Sequence, residues 1–172
     1  MNLKFKFFML SFVFFLAVSF QSVSFAQTEK KDIFDISALS LKLGNHSLLV
    51  YKDGNISYQD EHGIEPLLIQ IEKKGLKNAI VIDKLVGKAA ALLMVYGGVK
   101  QVHTNIIAKD AITVFEKYNV EYSAKEIVEY IQNRKKDGLC PMEEKVKNID
   151  KPKKAYKIFK NLKKTSNKSS SK

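Results

Sequence analysis

The sequence is poor in the residues that build disulfide scaffolds and metal centres. It has one cysteine in 172 residues, three histidines, three prolines and no tryptophan. A single cysteine cannot form an internal disulfide, and His46, His62 and His103 do not pair with each other or with cysteine at zinc-ligand spacing. The GxSxG and HExxH motifs are also absent. We therefore expect no metal site and no bound cofactor.

Only one long apolar run is present, and it lies at the N-terminus. Two lysines precede an apolar stretch from Phe7 to Phe20, and Ser24 and Ala26 place small residues where signal peptidase reads the chain. We expect residues 1–26 to be a cleaved signal peptide, so that the protein is exported to the periplasm, the cell envelope or the medium. The alternative is an uncleaved anchor, although the run is short for a membrane span.

Excess charge of either sign is missing from the middle of the chain. The net charge is +11, and it is accounted for entirely by nine lysines in residues 151–172 and two in residues 1–26, where no acid occurs. Residues 27–150 are therefore neutral, which argues against a specific nucleic-acid-binding domain.

Hydrophobic periodicity and turn residues predict an α/β domain with a mixed sheet flanked by helices. We expect an N-terminal helical segment within residues 27–46 and a folded domain over residues 47–150. The first predicted elements are a helix over Asp32–Gly44, strands over Ser47–Lys52 and Asn55–Gln59 joined by an Asp53-Gly54 turn, and a helix over Glu65–Lys74. The later ones are helices over Lys84–Tyr96 and Lys109–Tyr118, strands over Val99–Ile107 and Val120–Tyr122, and helices over Ser123–Gln132 and Cys140–Ile149.

The Gly87-Lys88 pair is not a phosphate-binding P-loop. That motif needs a glycine five residues before Gly87 and a hydroxyl after Lys88, and the sequence has Ile82 and Ala89. Asp83, read as the cap of a buried helix, leaves Lys84 and Lys88 on one face near the positive end of the helix dipole. Two interpretations stay open: a pocket for an anion, with Gly87 allowing close approach, or a capping aspartate beside two solvated lysines.

Cys140 also has two interpretations. It precedes Pro141 at a predicted helix start, where backbone amides and a nearby Arg134 would favour a reactive thiolate. A free cysteine is more often a small buried hydrophobe.

Residues 151–172 are expected to be a basic tail. Ala155, Ile158, Phe159 and Leu162 have the spacing of one helix face, with lysines around them. The tail would either lie on an anionic membrane surface or be disordered.

Three stretches carry a family resemblance: SLLVYKDG from Ser47, DKLVGKAAALLMVYGGV from Asp83 and NRKKDGLCPMEEKV from Asn133. They resemble an uncharacterised bacterial family of unknown function, similar in fold to cytidine deaminases, over about Ser47–Asp150. The zinc motifs of the deaminases, a His or Cys two residues before Glu and a Pro-Cys-x-x-Cys, are absent.

The resemblance implies a pocket where helix N-termini converge. We group there the expected ligand-binding residues Lys84, Gly87, Lys88, Asn133 and Arg134, with Asp83 and Cys140 as the catalytic candidates. The expected ligand is a nucleotide-like or other anionic small molecule. The alternative is a non-enzymatic envelope module held to an anionic membrane by its lysine-rich tail.

Overall fold

The computed structural model describes residues 39–169. The chain divides into two units, Met1–Leu41 and Lys42–Lys172, and of the first only a helical piece over residues 39–41 is described. The expected signal peptide and most of the expected Asp32–Gly44 helix lie outside the described residues, so export remains a prediction. No helix within residues 39–169 is long and apolar enough to span a membrane.

The domain is built on a five-stranded mixed sheet. Its strands are β1 (Leu48–Lys52), β2 (Asn55–Gln59), β3 (Ile80–Val86), β4 (Gln101–Ala108) and β5 (Glu121–Val128). The spatial order is β2-β1-β3-β4-β5. β1 is antiparallel to both of its neighbours, whereas β3, β4 and β5 are parallel. The carboxyl ends of the three parallel strands therefore meet at one edge of the sheet, the usual place for a ligand in an α/β fold.

Within residues 65–169, five helices follow the strands or close the domain. They are α1 (Glu65–Glu72), α2 (Lys88–Gly97), α3 (Lys109–Lys117), α4 (Pro141–Val146) and α5 (Pro152–Ser169). α2 is the central helix, because Ala89 to Met94 are all buried. It ends at Gly98, whose φ of 77° is the left-handed cap conformation that glycine favours. The sequence-based prediction of a buried helix in this stretch is confirmed, although its start is not.

The predicted start of α2 at Lys84 is wrong. Ile80–Val86 form β3, and Asp83 and Lys84 lie within that strand. α2 begins at Lys88 after Gly87. Asp83 is therefore not the helix cap. The β-branched run Ile80-Val81-Ile82 favours a strand, and this preference prevails over the capping pattern.

The predicted helix over Ser123–Gln132 is also wrong. Residues Glu121–Val128 continue as β5 at the edge of the sheet. Along this strand Tyr122, Ala124 and Val128 are partly buried, whereas the residues between them are exposed. That alternation has the period of a strand. Ser123 and Glu126, read as a capping box, instead occupy ladder positions opposite His103 and Ile106 of β4.

The amphipathic helix predicted in the basic tail is present, and part of it belongs to the domain core. α5 runs over Pro152–Ser169, so the disordered alternative is wrong for these residues. Ala155 and Phe159 of the predicted apolar face are fully buried in the domain core. α5 packs on α2 and α1, and Tyr156 stacks on Tyr96 with ring centroids 4.3 Å apart. The buried part of this face is therefore not available to a membrane surface.

Candidate functional site

A cavity of about 190 Å³ opens beside the carboxyl end of β3 and the start of α2. The loop before α1, the end of β3 and the first residues of α4 form its walls. The polar or reactive side chains among its lining residues are Ser47, His62, Asp83, Lys84, Cys140 and Glu143. The structure thus brings together four of the predicted site residues, namely Asp83, Lys84, Gly87 and Cys140.

Asp83 is the most perturbed acid of this cavity. Burial raises the pKa of its carboxyl group from 3.8 to about 7. The backbone amides of Leu85 and Lys84 and the charge of Lys84 act in the opposite direction but do not compensate for the burial. The Leu85 amide donates to Asp83 Oδ1 at 3.1 Å. Asp83 therefore exists in both protonation states near neutral pH, as is typical of groups that exchange protons.

Glu143 of α4 occupies the N-terminus of α2. Its carboxylate accepts a hydrogen bond from the Lys88 amide at 2.8 Å and another from the Ala89 amide at 3.0 Å. Burial raises its pKa, and the charge of Asp110 adds to this, whereas the two amides and the charge of Lys88 lower it. The carboxylate thus supplies the negative charge that a helix N-terminus favours.

Of the three predicted anion-binding cations, only Lys84 lines this cavity. The Lys88 ammonium group donates to the Lys147 carbonyl at 2.9 Å and lies 3.4 Å from an Asp150 carboxylate oxygen. Lys84 donates to the Asn45 carbonyl at 3.0 Å. Asn133 and Arg134 do not line the cavity, but each lines a depression that shares some of its lining residues. Of the expected group, Lys88, Asn133 and Arg134 therefore do not line the cavity that Asp83 and Cys140 share.

Glu143 is the site residue that sequence reasoning missed. It stands in the first turn of its own helix, where an acid ordinarily serves that helix and remains exposed. Here it is only 9% exposed and caps a helix 55 residues earlier in the chain. No local pattern signals so distant a partner. The single indication in the sequence is Gly87, which has no side chain at the point where Glu143 approaches.

Gly87 leaves the space that the Glu143 carboxylate fills. A Cβ atom at position 87 would lie 2.5 Å from Glu143 Oε1 and 2.6 Å from its Cδ, well inside van der Waals contact. We expect Gly87→Ala to displace the carboxylate and to lower the free energy of unfolding by about 1–3 kcal/mol. Urea unfolding followed by circular dichroism measures this loss.

Gly138→Ala is the matched control for that substitution. The nearest atom to a Cβ at position 138 is Asn133 Nδ2 at 3.5 Å, an ordinary contact. We expect its stability to stay within about 0.5 kcal/mol of wild type. Equal stability of both variants would show that Glu143 does not need the space at Gly87.

Metal ligands are not assembled in the described part of the chain. Within residues 39–169 no three His, Cys, Asp or Glu side chains are placed to hold a metal ion.

Cys140, half-buried, is a free cysteine and lines the cavity. Its backbone amide donates to the Ile131 carbonyl at 2.9 Å, which fixes the start of α4 against the segment after β5.

Comparison with known proteins identifies the family but no activity. The family model described as TM1506, domain of unknown function (DUF1893), matches residues 37–162. The crystal structure of a DUF1893 family protein (TM1506) from Thermotoga maritima is 25% identical, with a TM-score of 0.69; the similarity covers 77% of this chain and 90% of that one. Functionally curated proteins gave no match. The match extends beyond the predicted limit at Asp150 and takes in much of α5. Since the family model spans most of the sequence and a solved member shares its fold, the chain belongs to the DUF1893 family.

Proposed function

We propose that the cavity beside β3 and α2 binds a small polar molecule that is uncharged or cationic, and that Asp83 exchanges a proton with it. The observation that carries this proposal is the position of Glu143, whose carboxylate lines the cavity and accepts both amides at the start of α2. An anionic ligand would have to displace this internal carboxylate. A cavity of about 190 Å³ is also smaller than the roughly 300–1,000 Å³ that drug-sized ligands occupy.

Asp83 suits the role of a proton-exchanging group. With a pKa of about 7, its carboxyl group changes protonation state near neutral pH, so it can accept or donate a proton there. Such a group recognises an amine, amide or hydroxyl of the ligand with either polarity. Lys84 stands at the same wall, but its ammonium group is engaged by the Asn45 carbonyl.

Cys140 is the second candidate for chemistry in the cavity. It lines the same cavity as Asp83, so a ligand in that cavity could meet both side chains. We propose it as a nucleophile only toward a ligand with a carbonyl-type carbon, to which the sulfur adds while the thiol proton ends on the carbonyl oxygen.

A relationship to cytidine deaminases forms part of the proposal. It is supported by the mixed sheet flanked by helices and by a cavity at the start of a buried helix. Zinc deaminases take their metal ligands from His and Cys at two helix starts. Here the starts of α2 and α3 have Gly87-Lys88 and Ala108-Lys109. We therefore propose a shared fold without the zinc-activated water.

Thermal-shift measurements on the full chain test the proposal. We expect uncharged or cationic polar molecules, such as nucleosides and small amines, to raise the melting temperature of the wild type, because a ligand that binds only the folded state stabilises it. Inorganic anions should not compete with them. Asp83→Asn should weaken this binding, and Cys140→Ser should leave it intact if the thiol serves chemistry alone. A shift produced only by anions, and unchanged in Asp83→Asn, would refute the proposal.

A further inference from the structure

A second, more open groove adjoins the Asp83 cavity. Its volume is about 480 Å³, and it lies between α1, α4 and α5. The two spaces share four lining residues: His62, Gly63, Ile64 and Met142. The cavity and the groove therefore meet at the loop before α1 and at the Met142 side chain of α4.

The charges that line the groove are predominantly positive. Arg134, Lys145 and Lys163 contribute cations, whereas Glu65 is the single acid. Lys163 lies 3.9 Å from carboxylate oxygens of both Glu65 and Glu72, so its positive charge is shared between these two acids. Arg134 and Lys145 are exposed and form no ion pair within residues 39–169. Two cations thus face the groove without an ion-pair partner among the described residues.

The floor of the groove is apolar and firmly built. Leu68 and Phe159 are 3% and 1% exposed, and Leu162 covers one side with 39% of its surface in contact with solvent. Leu68 and Phe159 belong to the hydrophobic core, so this part of the floor is continuous with the core. An occupant would meet an apolar base and a cationic rim.

We propose that this groove, the Arg134 groove, holds an anionic group of the same ligand whose polar, uncharged or cationic part occupies the Asp83 cavity. The inference rests on the proposed function, and it defines the ligand class: a bipolar small molecule with an anionic end such as a phosphate. The acidic cavity and the basic groove select opposite ends of that molecule. Arg134 offers the planar, two-pronged hydrogen bonding that suits phosphate, and Lys145 adds a point charge.

A matched pair of probes separates the two ends. A nucleoside is uncharged and polar, and its 5′-monophosphate differs only by the anionic group. In calorimetric titrations of the full chain we expect the monophosphate to bind about tenfold more tightly or better, the gain typical of one charge-assisted hydrogen bond. The double variant Arg134→Ala, Lys145→Ala should remove this advantage and leave nucleoside binding unchanged. Lys153→Ala, Lys157→Ala, which removes two exposed lysines outside the groove, is the control for net charge.

Each outcome decides between the cavity and the groove. If both probes bind equally, or if the advantage of the monophosphate survives in the Arg134→Ala, Lys145→Ala variant, the Arg134 groove is not an anion site. In either case, nucleoside binding that is weakened by Asp83→Asn would still support the Asp83 cavity. If the lysine control loses the advantage as fully as the groove variant, general charge rather than the groove is responsible. If neither probe binds, and pyrophosphate alone produces no heat, both proposals fail.

Discussion

A chain that ends at Asp150 is expected to fail to fold, because it lacks α5. Phe159 is 1% exposed and Ala155 is fully buried, so removal of the helix would open the core between α1 and α2. Domains are stable by only about 5–15 kcal/mol. Truncating Phe159 alone to alanine should lower the free energy of unfolding by about 3–5 kcal/mol. Urea unfolding and the dispersion of amide signals in NMR spectra measure the two effects.

Lys157→Ala provides the control within the same helix. Lys157 is exposed, and its replacement should change stability by less than about 0.5 kcal/mol. A truncated chain that unfolds cooperatively at the wild-type melting temperature would show that α5 does not contribute to the stability of the domain. The result bears on function too, since Phe159 forms part of the floor of the Arg134 groove.

The elements that the sequence predicted well are those defined by local signals. The β1–β2 hairpin has Asp53 and Gly54 at φ of 50° and 79°, the positive values that a two-residue hairpin turn requires. The limits of β2 agree with the prediction, and those of α1 and α3 differ only at their ends. Each has a turn residue, a cap or a periodic face within a few residues of its boundary.

The errors arose where a local signal competed with pairing across the sheet. Asp83 followed by an apolar helix suggests a cap, and Ser123 with Glu126 suggests a capping box. Both segments instead pair with β4, whose two neighbours in the sheet are β3 and β5. Strand pairing of this kind depends on residues about 20 positions away, which a local window does not contain.

The candidate site was predictable in part for the same reason. Asp83, Gly87 and Cys140 belong to segments that stand out in the sequence, and the structure brings them to one cavity. Lys84 and Lys88 were assigned to an anion because they were placed on the first turn of a helix. Once Asp83 and Lys84 lie in β3, that argument no longer applies, and the charge at the start of α2 comes from Glu143.

The second large effect concerns the pH dependence of stability through Asp83. The pKa of its carboxyl group is about 7 in the folded chain, against an ordinary value of 3.8. Because the folded state holds this proton more tightly than the unfolded state, the contribution of Asp83 is most favourable below about pH 4. It is lost progressively as the pH rises to about 7, and it is constant above that.

Asp83→Asn should therefore stabilise the protein at alkaline pH. Asparagine remains uncharged, and its Oδ1 can still accept the hydrogen bond from the Leu85 amide. The difference between 3.8 and about 7 corresponds to roughly 2–4 kcal/mol, the lower value allowing for partial contact of Asp83 with solvent. We expect the variant to exceed wild type by this amount at pH 8 and to match it near pH 4, in urea unfolding at both pH values.

Asp53→Asn is the matched control, since Asp53 is an exposed turn residue whose positive φ asparagine also tolerates. Its stability curve should run parallel to that of wild type. If the Asp83→Asn curve is parallel as well, ionisation of the Asp83 carboxyl group does not lower the free energy of unfolding. That result would contradict the proposed proton-exchanging role of Asp83. If the two curves diverge as expected, the wild type retains an acid that destabilises it at neutral pH. A residue that lowers stability in a cavity wall is characteristic of functional sites. Asp83 would then differ in role from Glu143, whose buried carboxylate accepts hydrogen bonds from two backbone amides and has a structural function.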